Sequence, residues 1–84
     1  MQSGMEALKN AGNRVVGAKQ TVKSLENNAA RQVFIADDAE PKVVKPVVDL
    51  CQEKEVDWCY CGNMEELGKA CGIKVGAAVA AIIE

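Results

Sequence analysis

Apolar positions along the chain switch repeatedly between helical and strand spacing. Met5 and Leu8 stand one turn apart behind Ser3 and Glu6. These two form a capping box in which Ser3 is the N-cap and Glu6 reaches back. With Gly12 able to stop the turn, a short helix is expected over roughly 4–12. Arg14-Val15-Val16 reads as a brief strand. Ala18, Val22, Leu25 and Ala29 fall on one stripe, predicting a second helix from about Gly17 to Asn27. Asn27-Asn28 is its stop, since asparagine tolerates the left-handed cap conformation. Gln32–Ala36 contains Val-Phe-Ile, a buried strand, and Asp37–Pro41 is a turn. Pro41 suits a first helical position, and the acids before it suit the positive end of a helix dipole.

Val43, Val44, Val47, Val48, Leu50 and Cys51 give the third helix a wide apolar face. Pro46 is expected to kink or restart it, because proline lacks a donor and crowds the preceding turn. Val56–Cys61 is the next strand. Asn63 then caps a helix with Glu66 at its third position, Met64, Leu67, Ala70 and Cys71 inside, and Gly72 at its end. Ala77–Ile83, almost wholly apolar, is a last strand suited to a central position covered on both sides. Helices and strands alternate throughout. The fold class is therefore α/β, a sheet of about four strands with helices on both faces.

The 84 residues have room for one domain, taken as 1–84. With one Phe, one Tyr and one Trp, the exposed rings that stack bases on an RNA-recognition-motif sheet or an oligonucleotide-binding barrel are nearly excluded. Val43–Cys51 and Ala77–Ile83 are far too short to span a bilayer, so no membrane partner is expected. No basic-plus-apolar leader is seen, which points to the cytoplasm. The net charge of −2 argues mildly against nucleic acid, but its distribution argues the other way. Residues 9–31 carry five cations (Lys9, Arg14, Lys19, Lys23, Arg31) against Glu26 alone, a net of +4. Residues 37–66 carry nine acids against three lysines, a net of −6. Such a chain attracts phosphate on one side and repels it from the other.

Candidate chemistry is sparse. There is no histidine, which removes the commonest general acid–base and the nucleophile pairs built on it. Gly12–Gln20 resembles a phosphate loop only superficially: Lys19 comes one residue late, and Gln20 stands where Ser or Thr would hold magnesium. Cys59-Tyr60-Cys61 has one intervening residue rather than the two of a zinc knuckle. Together with Cys51 and Cys71, these cysteines read most simply as four soft residues facing one core. Asp37, Asp38 and Glu40 read as the solvated start of a helix, and Trp58 as a packing or partly exposed ring. No cofactor and no metal site is expected. Lys19 and Lys23 share one helix face, with Gln20 beside Lys23. Ile73-Lys74-Val75-Gly76 forms a short apolar loop after Gly72. A cationic, hydrogen-bonding surface beside an apolar prop suits structured RNA better than a small substrate.

Three stretches in register resemble a known family: Gly17-Ala-Lys-Gln-Thr-Val-Lys23, Val33-Phe-Ile-Ala-Asp-Asp-Ala-Glu-Pro41, and Glu66-Leu-Gly-Lys-Ala-Cys-Gly-Ile-Lys-Val-Gly-Ala-Ala78. They are similar to the kink-turn-binding ribosomal proteins of the L-seven-Ae type, and most to their small bacterial YbxF-like branch. The resemblance spans about Val15 to Ile83. It implies a three-layer α-β-α sandwich on a mixed sheet, and a non-enzymatic, ribosome-associated protein that binds RNA bent beside tandem sheared G·A pairs. The partner would be ribosomal RNA or a riboswitch, met by a monomer. Carried onto this chain, Gly17 permits close backbone approach, and Lys19 and Gln20 address guanine edges. Lys23 takes base edges or phosphate. Ile73, Lys74 and Val75 pack on extruded bulge nucleotides, and Gly76 lets that loop turn. Two positions depart from the family. Asn27-Asn28 stands where Arg-Gly is common, removing a phosphate contact, and Ala18 replaces a common Thr, removing a hydroxyl. The alternatives are a cysteine-based metal or redox protein, or a protein-interaction scaffold using the acidic half.

Overall fold

A computed structural model describes the backbone of residues 4–83 and the side chains of 7–83. The elements in chain order are α1 (Gly4–Asn10), β1 (Arg14–Val16), α2 (Ala18–Glu26), β2 (Ala30–Ile35), α3 (Pro41–Glu53), β3 (Asp57–Tyr60), α4 (Met64–Ala70) and β4 (Val79–Ile83). Ser3, the expected cap of α1, lies outside the described residues. At its other end α1 stops at Asn10, short of the expected 12. The Arg14 guanidinium donates there to the Leu8 carbonyl at 3.5 Å and the Ala11 carbonyl at 3.4 Å.

The sheet order is β1-β4-β2-β3. β4 runs antiparallel to both neighbours, with Val16 opposite Ala80 and Phe34 also opposite Ala80 across the other side. β2 and β3 are parallel, joined through α3, as a crossover of this kind requires. β4 thus holds the central place its apolarity predicts: Val79, Ala80 and Ala81 are fully buried. It begins at Val79 rather than Ala77 because the two preceding alanines are held outside the β1–β4 ladder. Ala77 N–H donates to the Met64 carbonyl, and Ala78 accepts from Ala36 N–H.

Period-2 alternation sorts side chains onto two faces. Phe34 and Ala80 meet Leu8 of α1, Leu67 and Ala70 of α4 and the Cys71 that caps α4 on one face. Val33, Ile35, Val79 and Ala81 meet Leu25 of α2 and Val44, Val47 and Cys51 of α3 on the other. The result is a three-layer α-β-α sandwich on a mixed four-stranded sheet. Two expectations need correction. The four cysteines do not share one core: Cys59, Cys61 and Cys71 pack on the α1/α4 face, while Cys51 lies across the sheet. Pro46 does not restart α3, which runs unbroken through it. Pro46 is exposed, so the Lys42 carbonyl it cannot serve is left on the solvent side of the helix, where water can replace the lost donor.

Three helices end in the same way. In α4, Gly72 has φ 77°, Gly72 N–H donates to Lys69, and Ile73 N–H reaches back to Gly68. This is a Schellman motif. α2 repeats it with Asn28 (φ 58°), and α3 with Glu55 (φ 57°), where Val56 N–H donates to the Cys51 carbonyl at 2.8 Å.

Candidate nucleic-acid interface

The site begins at a glycine whose backbone no other residue holds comfortably. Gly17 has φ 103° and ψ 149° and caps α2 without any side-chain bond. This positive-φ extended region is essentially reserved for glycine. Its N–H donates to the Val79 carbonyl at 2.7 Å, tying the start of α2 to the start of β4. Its carbonyl accepts twice, from Thr21 N–H at 3.0 Å and from Thr21 Oγ1 at 2.9 Å. Thr21 is fully buried, and its hydroxyl is satisfied by that bond. A Cβ built on Gly17 would meet nothing within 4 Å, so the backbone here lies open to an approaching molecule.

From this cap α2 turns Thr21 and Leu25 inward, with Ala18 and Val22 half-buried beside them. Lys19, Gln20 and Lys23 are left exposed on the other face. Lys23 stands about 9 Å further along the helix than Gly17.

The second part of the site is the loop between α4 and β4. Ile73 is half-buried against the α1/α4 core, whereas Val75 is 70% exposed, an unusual position for a large aliphatic side chain. Lys74 and Gly76 are also exposed. Two glycines hold the loop close to α4. A Cβ on Gly68 would collide with the Val75 carbonyl oxygen, and one on Gly76 would lie 3.2 Å from Met64 Cβ. Gly76 therefore serves close packing, and it shows no positive φ. Asp38 steadies the start of α4 by accepting Met64 N–H at 2.8 Å. The carboxylate read as a solvated neighbour of α3 is thus a cap for α4, beside the Asn63–Glu66 capping box that the sequence did announce.

The two parts sit at the same end of the sheet. β1 ends where β4 begins, and Gly17 bonds Val79 there. Val75 is four residues upstream of Val79, so their Cα atoms are within about 14 Å. The start of α2 at Gly17 and the Val75 loop thus belong to the same end of the sheet, and exposed Lys19, Gln20 and Lys23 follow Gly17 along α2. Thr21, Gly68 and Asp38 are the structural residues that sequence reasoning missed. Thr21 extends the Ala18–Leu25 stripe, and an isolated glycine inside a helical pattern is a packing signal. Nothing in the sequence pointed Asp38 at Met64.

No comparable arrangement exists for the thiols. Burial pushes Cys51 and Cys61 up to about 11 from an ordinary 9.0, and raises Cys59 and Cys71 as well. Among the described residues no cluster of three or more His, Cys, Asp or Glu side chains is placed to hold a metal ion, and no helix is long and apolar enough to cross a membrane.

Comparison with known proteins agrees with this architecture. An RNA-binding protein of Caldanaerobacter subterraneus subsp. tengcongensis is 54% identical over 68 residues, covering 81% of this chain and 83% of that one. RNA-binding protein YbxF of Geobacillus stearothermophilus is 38% identical over 78 residues, 93% of this chain and 95% of that one. Among solved structures, the 15.5 kD RNA binding protein of Giardia lamblia superposes with a TM-score of 0.84 at 26% identity, over all of this chain and 78% of that one. The model of the ribosomal protein L7Ae/L30e/S12e/Gadd45 family matches residues 1–84, and the chain belongs to that family.

Proposed function

We propose that this chain is a non-enzymatic RNA-binding module of the cytoplasm that recognises kink-turn RNA as a monomer, on ribosomal RNA or a riboswitch. The observation that carries the reading is that the open Gly17 cap, followed along α2 by exposed Lys19, Gln20 and Lys23, bonds Val79 at the end of the sheet from which the loop with exposed Val75 comes. The chemistry fits in detail. Lysine donates to guanine O6 and N7, and glutamine both donates and accepts on one base edge. Backbone N–H groups at the start of α2 favour phosphate. An extruded, unstacked nucleotide offers a flat apolar face that Val75 and Ile73 can cover. Lys74 adds charge beside it. The names of the bacterial relatives, which call them RNA-binding proteins, point the same way. The protein would act by binding the bent RNA better than the straight one, shifting the population toward the bend.

The test is titration of a kink-turn hairpin against a control in which the sheared G·A pairs are replaced by Watson–Crick pairs. The intact protein should prefer the kink-turn. Lys19→Ala and Gln20→Ala should each weaken that complex by about tenfold or more, since a good polar base contact contributes about 1–3 kcal/mol. Equal affinity for both RNAs would refute the reading. Retained preference in both variants would refute the residue assignment.

A further inference from the structure

A second surface lies where α3 overhangs the outermost strand. Val44 and Val48 of α3 face Tyr60 of β3 across an open groove of about 500 Å³ that Ala39 and Pro41 also line. Tyr60 is 55% exposed, and its ring meets Trp58 edge-on at 5.6 Å. β3 pairs with β2 alone and ends the sheet, so its outer backbone is open to another strand. Asp37 and Asp49 stand in the lining, the latter within 3.9 Å of the exposed Lys45 ammonium. Exposed Glu53 and Asp57 extend the negative charge along α3 and β3.

These features describe a receptor for a peptide. We propose that the groove docks a cationic, extended peptide segment of another protein. Its chain would lie along β3, a bulky apolar side chain would sit between Val48 and Tyr60, and lysines or arginines would face Asp37 and Asp49. An open strand edge supplies backbone hydrogen bonds, and a pocket beside it supplies side-chain selection. Charge decides the occupant: the lining carries Asp37 and Asp49 against Lys45, a net of −1, with exposed Glu53 and Asp57 further along α3 and β3, which disfavours a phosphate backbone and attracts a basic peptide. The proposal does not depend on the RNA reading, since it uses the opposite sign of charge and none of the same residues.

Trp58, the single tryptophan, is a built-in reporter. The whole protein is titrated with a synthetic peptide of alternating Lys and Leu, with an all-Lys peptide and with alternating Glu and Leu. Saturable change of Trp58 emission is expected with the Lys/Leu peptide, with amide shifts in α3 and β3. The all-Lys peptide should bind at least about tenfold more weakly, and the Glu/Leu peptide not at all. Tyr60→Ser, at an exposed position with little folding risk, and Asp49→Lys should each weaken Lys/Leu binding by a similar factor while leaving RNA binding unchanged. Any of three results would overturn the proposal. The all-Lys peptide could bind as well as Lys/Leu, which would mean unspecific charge attraction. Both variants could bind normally. Or Trp58 emission could depend on protein concentration alone, which would give the groove to a second copy of this chain.

Discussion

At the residue scale, the helix ends show how far side-chain identity dictates conformation. The left-handed position after a helix favours glycine, tolerates asparagine, and strains most other residues by about 1–2 kcal/mol. The chain places Gly72 after α4, Asn28 after α2 and Glu55 after α3. The first two stops were legible in the sequence. The third was not, because nothing about glutamate marks it as a left-handed residue, and the Val56-to-Cys51 bond imposes that geometry. Glu55→Gly should therefore stabilise the protein by about 1 kcal/mol, raising the melting temperature by about 4–8 °C. Scanning calorimetry of the pair checks it, and an unchanged melting point would mean Glu55 is not strained. Gly17 is the converse case. Its Cβ space is empty, so Gly17→Ala introduces backbone strain without a clash, expected at about 1–3 kcal/mol and visible as a lower urea midpoint. The buried thiols give a third test. Cys51 is fully buried, and burial raises its pKa from 9.0 to about 11. The folded state then holds a proton that the unfolded chain releases. The stabilisation is full below about pH 9 and is lost as the pH climbs toward about 11. In reductant, urea unfolding at about pH 8 and about pH 10 should show a smaller loss for Cys51→Ala than for the parent, although the variant starts lower because it leaves a cavity.

At the scale of elements, alternation of period located all eight helices and strands in order, because each buries one stripe or one face against the same sheet. Boundaries slipped where long-range bonds outrank local pattern. β2 begins at Ala30, two residues before the expected Gln32, because Ala30 pairs with Ile83 across an irregularity in register. No local signal in Ala29-Ala30-Arg31 reveals a partner fifty residues away. The candidate site divides the same way. Exposed Lys19, Gln20 and Lys23 were readable from helical spacing and from the family resemblance. The means of holding the 73–76 loop was not, because it depends on a missing side chain. Gly68 sits inside α4 so that the Val75 carbonyl can press against the helix. Alanine there would normally strengthen a helix by about 1 kcal/mol. In this chain Gly68→Ala should instead destabilise by about 1–3 kcal/mol, since its methyl group would overlap the Val75 carbonyl. The same displacement would move Val75 relative to the start of α2. RNA affinity should fall further than in Gly12→Ala, a glycine with open space around it. Equal RNA affinity in the two variants would detach the loop from the interface.

At the scale of the whole molecule, the charge division along the chain is only partly a spatial one. α2 carries exposed lysines beside the Gly17 cap, β3 and the first turn of α4 carry exposed acids, and α3 carries Lys42 and Lys45 as well as Asp49 and Glu53. So few lysines beside the Gly17 cap and on the Val75 loop make the salt dependence of RNA binding diagnostic. Each phosphate neutralised contributes a slope of about −0.7 to −0.9 to log K against log salt. Lys19, Lys23 and Lys74 together should give a slope no steeper than about −3, far shallower than that of a protein that binds by charge alone. A lysine on phosphate and a lysine on a base edge also fail differently. The first, when removed, flattens the slope by about one unit and weakens all RNAs alike, whereas the second leaves the slope nearly intact and erodes discrimination. Lys23→Ala should behave in the first way if it meets phosphate, and Lys19→Ala in the second. Exposed acids on β3, such as Asp57, lie across the sheet from β1, farther than the screening length of about 8 Å at physiological salt. Asp57→Asn should then shift neither slope nor affinity. If it tightened RNA binding as strongly as Lys23→Ala weakened it, the RNA would be sensing net charge over the whole surface, and an interface confined to α2 and the Val75 loop would be untenable.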